Sequence, residues 1–140
     1  MARNTNRKDG LQFENELCQM MADKGWWCHD MAQTAAGQPA DVIAVRLNTA
    51  VLIDCKVCSS DKFQMSRVEP NQESAMTLWQ ERGNNFAYFA IKFPSGKVYM
   101  MDYDSFILMK RENVKAVPEE YAIAAFRRID RWLDYMEDQI

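Results

Sequence analysis

The chain has 140 residues, yet it contains one histidine, no long apolar run and no excess of positive charge. Each absence closes off a class of function. A single histidine, His29, excludes histidine-rich metal centres and leaves imidazole a poor prospect as a general base, so His29 beside Trp26-Trp27 reads as structural. Apolar stretches break within about eight residues, well short of the roughly 20 that a membrane-spanning helix requires. Lys and Arg total 17 against 20 Asp and Glu, a net charge of −3, so no global positive field advertises nucleic acid or a membrane surface. Any nucleic-acid contact must use a local patch. Walker loops, G-x-G-x-x-G, a nucleophile elbow, zincin helices and internal repeats are all missing.

What is present suffices for one globular domain over residues 1–140: 48% hydrophobic, 11% aromatic and 26% charged residues. The first eight residues hold Arg3, Arg7 and Lys8 but no apolar core segment, which argues against a secretory signal and for a cytoplasmic setting. Cys18, Cys28, Cys55 and Cys58 are then expected as free thiols. Cys55 and Cys58 form a C-x-x-C at the end of an apolar β-run. An offset of three along a strand sends them to opposite faces, the wrong geometry for a zinc knuckle.

Periodicity predicts a helix from about Gly10 to Lys24 stopped by Gly25, a strand at Trp26–His29 and a loop at 33–39. Two β-branched runs follow, 41–47 and 51–57, close enough for a hairpin, then a polar loop over 58–70. A helix from Pro70 to about Arg82 leads into strands 86–93 and 98–103. Helices near 104–111 and 119–138 end the chain as a C-terminal helical extension. The order reads as an α/β fold with a mixed sheet flanked by helices.

The informative oddity is where charge interrupts the apolar strands. Asp54 and Lys56 share one strand face, with Val51, Ile53, Cys55 and Val57 on the other. Taking Asn48-Thr49 as a two-residue turn sets Leu47 opposite Ala50 and Asp41 opposite Lys56, which puts Asp41 diagonal to Asp54 on one face. A slip of one residue would scatter the trio. Two carboxylates at that separation suit a hard divalent cation, and a neighbouring Lys can orient a water or steady a developing phosphorane charge. Together they form a kit for phosphodiester hydrolysis. The alternative is an ordinary Asp–Lys salt bridge on an exposed sheet face.

The stretch Gln38-Pro39-Ala40-Asp41, followed thirteen residues later by Asp54-Cys55-Lys56, resembles the PD-(D/E)xK nuclease signature. An acid-bearing helix precedes it (Gly10-Leu11-Gln12-Phe13-Glu14) and a Gln-bearing helix follows it (Asn71-Gln72-Glu73). The run from Phe63 to Asp102 is similar to RecU-type Holliday junction resolvases of bacteria and their phages, a likeness covering roughly residues 8–103. The segment before Asp41 has no room for the RecU stalk, and residues 104–140 find no counterpart there. The resemblance implies a restriction-endonuclease-like core in a bacterial cell or phage-infected host. It implies Mg²⁺, with Mn²⁺ as substitute, bound by Asp41, Asp54 and the backbone carbonyl of Cys55, and by Glu14 through water. Lys56 would position the attacking water and Gln72 would lie beside the site. Glu16 replaces Glu14 if the helix phase differs.

The implied activity is a Mg²⁺-dependent, structure-specific DNA endonuclease that resolves Holliday junctions and leaves a 5′-phosphate. Two symmetric nicks in a four-way junction call for a two-fold homodimer. Arg3, Arg7 and Lys8, as a flexible basic arm, and Lys62 and Arg67, in the loop after the second strand of the hairpin, are the candidate DNA contacts. Restriction-type or nicking nucleases, a non-catalytic nucleic-acid-binding module with the same fold, and a small-molecule enzyme using the same carboxylates remain the competing readings.

Overall fold

A computed structural model of the chain describes residues 2–31 and 40–140, with side chains from residue 8 onward within them. The expected loop at 33–39, which includes Gln38 and Pro39 of the motif, lies outside the described residues, as do the side chains of Arg3 and Arg7.

Helix α1 (Ala2–Asp23) starts well before the predicted Gly10, so the backbone of the basic arm is the first two turns of a helix rather than a flexible tail. Its end is where the sequence put it. Gly25 adopts φ 91°, its N–H donates to the Ala22 carbonyl, and the Trp26 N–H donates to Met21, the Schellman pattern that suits a glycine. Strands β1 (Trp27–Asp30), β2 (Val42–Arg46) and β3 (Thr49–Val57) form an antiparallel meander.

The β2–β3 turn corrects the predicted register. Leu47 and Asn48 form the turn, with φ 45° and 67°, and Arg46 faces Thr49. A two-residue hairpin of this hand needs positive φ at both central residues. Asn tolerates that conformation, whereas the predicted loop would have forced it on β-branched Thr49. The register moves by two, so the paired residues keep their predicted faces. Asp41, one residue before the ladder begins at Val42↔Ile53, donates its N–H to the Ile53 carbonyl at 3.1 Å and so sits beside the charged end of β3.

The predicted polar loop hides β4 (Lys62–Gln64) and a 3-10 turn at Met65–Arg67; β4 pairs with β7 (Ala116–Pro118) as a separate two-stranded sheet. Helix α2 (Pro70–Glu81) carries the chain across to β5 (Phe86–Lys92), which pairs parallel to β3. Then β6 (Val98–Asp102) returns antiparallel and α3 (Tyr103–Arg111) follows, capped by Asp102, whose carboxylate accepts from the Ser105 N–H at 3.0 Å.

The predicted 119–138 helix is broken. Phe126 is extended (φ −123°, ψ 156°), so α4 (Glu119–Ala125) stops there, β8 (Arg127–Arg128) pairs with β6, and α5 (Ile129–Gln139) resumes. The C-terminal region is therefore woven into the sheet edge and is not an appended helical extension.

The main sheet runs β1-β2-β3-β5-β6-β8. On one face α1 and α5 bury Phe13, Leu17, Trp132 and Met136 against Val51, Ile53 and Met100. On the other, α2, α3 and α4 bury Met76, Phe106 and Ala122 against Leu52, Phe89 and Met101. Cys55 packs with the first layer and Cys58 with the second, and all four cysteines are free. Both faces of β3 and β5 are covered, which is why these strands read as continuous apolar runs. Charge inside such a strand needs a reason.

Candidate active site

The charged segment of β3 meets the start of β2 and the N-terminus of α2. Asp54 is 1% exposed, Lys56 8% and Asp41 7%. Asp41 Oδ2 accepts the Cys55 N–H at 2.7 Å, a side-chain link from the start of β2 to β3. Gln72, in the first turn of α2, does two jobs. Its Oε1 accepts the Glu69 N–H at 3.0 Å, completing a capping box, and accepts Lys56 Nζ at 3.0 Å. Its Nε2 donates to Asp54 Oδ1 at 3.3 Å. Lys56 Nζ also sits 3.0 Å from Asp54 Oδ2, an ion pair by distance. That oxygen nonetheless has no aligned hydrogen-bond donor and is fully buried. It is the one side-chain oxygen so placed among the described residues.

Glu14 completes the cluster from α1, 6% exposed. Burial raises its carboxyl to about 9, reinforced by its contact with Asp41 and by the charges of Asp41, Asp30 and Asp54. Burial likewise raises Asp54 to about 8, with the Asp41 charge adding to it and Lys56 opposing it. These are carboxylates held close against their own repulsion, the condition that a bound cation relieves.

The residues fit a divalent metal ion. Asp54 Oδ2 is a buried hard donor that makes no aligned hydrogen bond, though the Lys56 ammonium lies 3.0 Å away, and Asp41 and Glu14 converge beside it. Among the described residues no three acidic, cysteine or histidine side chains enclose an ion by themselves, so backbone or water would complete the shell.

Glu14, Asp41, Asp54, Lys56 and Gln72, all singled out from the sequence, thus come together. Glu16 does not: it is exposed, 3.4 Å from Lys92 Nζ. Lys8 is exposed on α1 and Lys62 on β4. Arg67 donates to the Val57 carbonyl at 2.7 Å, at the end of the strand that carries Asp54 and Lys56. Asp30 was missed. At the end of β1 it faces Glu14 and Asp41, and burial first, then the Asp41 charge, raise its carboxyl. Ending the predicted strand at His29 hid it. Alternation from half-buried Cys28 would have turned Asp30 toward α1.

A family model, archaeal Holliday junction resolvase (Hjc), matches residues 5–128. The chain belongs to the archaeal Hjc family. It is accordingly a junction-resolving, metal-dependent endonuclease that hydrolyses phosphodiester bonds in DNA recombination. Among solved structures, the fold is similar to that of Archaeoglobus fulgidus Hjc, a Holliday junction resolvase from an archaeal hyperthermophile. The TM-score is 0.68 at 17% identity, over 89% of this chain and 99% of that one. No curated protein matches the sequence.

The match overtakes the RecU likeness drawn from sequence. The Hjc family is archaeal, which gives no support to a bacterial or phage origin, and its match runs past residue 103 to residue 128. No helix among the described residues is long and apolar enough to cross a membrane.

Proposed function

We propose that this Hjc-family nuclease uses Mg²⁺, with Mn²⁺ as substitute, held by Asp41, Asp54 and the Cys55 backbone carbonyl, with Glu14 acting through water. The observation that carries the reading is the buried Asp54 Oδ2, which has the Gln72-anchored Lys56 ammonium at 3.0 Å but no aligned hydrogen bond, beside Asp41. When bound, the cation supplies Lewis acidity to the scissile phosphate and lowers the pKa of the attacking water.

The chain's own residues do the rest. Gln72 and Asp54 hold Lys56 from two sides, leaving an Nζ proton to orient that water in line with the leaving group. The same ammonium offsets the negative charge that develops on the phosphoryl oxygens. Asp41, fastened by the Cys55 N–H, cannot swing away as the charge changes. The P–O3′ bond breaks, giving a 5′-phosphate and a 3′-hydroxyl. A homodimer would present two such sites to the two symmetric strands of a four-way junction. Lys8, Lys62, Arg67 and, on α1, Arg3 and Arg7 would contact the DNA backbone. Four free thiols favour a reducing cytoplasm.

The test incubates the protein with a synthetic four-way junction, a linear duplex and single strands, with and without Mg²⁺. Paired symmetric nicks in the junction alone are expected; equal degradation of all three would sink junction specificity. Lys56→Ala should still bind the junction while cleavage falls by about 10²–10⁴-fold, the scale of a lost positioned acid–base group. Cleavage that survives at the wild-type rate removes Lys56 from the mechanism.

A further inference from the structure

Trp26 and Trp27 are neighbours with opposite environments. Trp26 is 4% exposed beneath α1, whereas Trp27 is 61% exposed on β1, the edge strand of the sheet. His29, two residues on and so on the same face, lies parallel to the Trp27 indole, with ring centroids 5.8 Å apart and planes 6° apart. Most of the indole is left to solvent, with the imidazole lying parallel beside it.

The ladder locates this pair relative to the acids. Trp27 faces Val45, His29 faces Ile43, and Ile43 faces Leu52, which lies one alternation before Asp54 on β3. Past His29, the Met31 N–H donates to the Asp41 carbonyl at 2.7 Å. The stack therefore occupies the sheet face that carries Asp54 and Lys56. His29 stands one side-chain row from the acids and Trp27 two rows, about 7 and 14 Å along the strands at ~3.4 Å per residue. A strand whose phosphate lay at the acids would carry its flanking nucleotides across this face.

We propose that Trp27, braced by His29, stacks against a base of the substrate DNA strand flanking the cleaved phosphate. The assignment rests on the reading of the acid cluster as the nuclease site. Flat aromatic faces are how proteins hold unstacked bases without regard to sequence, and a four-way junction offers bases that have lost a stacking neighbour at the branch. A second copy of the chain is a poorer occupant. The exposed apolar neighbours on this flank are Val45 and Leu47, far short of the roughly 20–30 residues a side in a stable subunit contact.

The test uses the full chain in Ca²⁺ with a four-way junction carrying 2-aminopurine beside the branch point. Wild-type protein should change the 2-aminopurine emission on binding. Trp27→Ala should abolish that change and weaken junction affinity by about tenfold, the scale of one base–aromatic stack. Trp27→Phe should stay within about threefold of wild type, because a smaller ring still stacks. The thermal shift that Mg²⁺ induces should be the same in Trp27→Ala as in wild type. If Trp27→Ala matches wild type in both affinity and emission, the stacking role is wrong while the nuclease reading stands. If Trp27→Ala instead splits a dimer in sedimentation, the face is a subunit contact and the proposal falls. A wild-type protein that neither shifts with Mg²⁺ nor binds the junction overturns both readings.

Discussion

Strand β3 contains two neighbouring stretches that are buried to nearly the same depth and for opposite reasons. Val51, Leu52 and Ile53 are 0–3% exposed and surrounded by apolar side chains from both layers; Asp54 and Lys56 are 1% and 8% exposed and are held by Gln72, Asp41 and each other. The first stretch releases free energy on leaving water. The second loses the hydration of a carboxylate and an ammonium and recovers only part of it through the pair. One strand thus both stabilises the fold and carries the group that strains it. The site's charges are tolerated because the rest of β3 is packed on both faces.

The contrast can be broken from either side. Truncating the apolar half has the largest expected effect: Ile53→Ala should lower unfolding free energy by about 2–5 kcal/mol in denaturant titration, with or without metal, because it leaves a cavity between β3 and α1. Truncation that costs nothing would mean the layer is loosely packed.

Neutralising the strained half should do the reverse. Glu14→Gln keeps the shape and removes an acid whose folded-state value is raised to about 9. In the metal-free protein it should add on the order of 1 kcal/mol or more near pH 8. The pH dependence carries the sign. Below the ordinary carboxylate range, Glu14 and Asp54 are protonated in both folded and unfolded chains and make no difference. As pH rises toward 8 and 9 the unfolded chain gives up protons that the folded chain retains, so metal-free stability falls through this window. Thermal melts from pH 5 to 9 should show that decline, a shallower one in Glu14→Gln, and little or none when Mg²⁺ is saturating. A metal-free protein equally stable at pH 5 and 9 would remove the electrostatic strain altogether.

A smaller loss is expected from Gln72→Ala, about 1 kcal/mol for the broken capping box, accompanied by slower cleavage as Lys56 loses its anchor. Single-turnover rates separate the two effects. Smallest of all, Glu16→Ala should stay within about 0.5 kcal/mol and leave cleavage unchanged, since its partner Lys92 is a surface contact. A large cleavage defect there would mean that the helix-borne acid has been misassigned.

Much of this candidate site is legible in the sequence, because strand alternation alone places Asp54 and Lys56 together and on the face opposite Cys55. The face of each hairpin residue survived an error in the turn because the error was two residues, an even number. What the sequence concealed was the true register of the hairpin, which depends on Leu47 accepting a left-handed backbone, an unusual choice for that residue. The early start of α1 was hidden by a polar, basic opening with no apolar periodicity. The short β4, β7 and β8 were invisible for a different reason: strands of two or three residues are held by pairing with distant partners rather than by any local pattern. Asp30 needed the packing of α1 on β1 to be recognised, since no motif spacing leads to it.

Gln72 gives the molecule an unplanned thermometer. The same side-chain oxygen ends the backbone of α2 and steadies Lys56, so the first turn of that helix cannot fray without releasing the ammonium. Activity should therefore fade on heating before the sheet itself comes apart, and the temperature at which it fades would report the opening of a single helical turn.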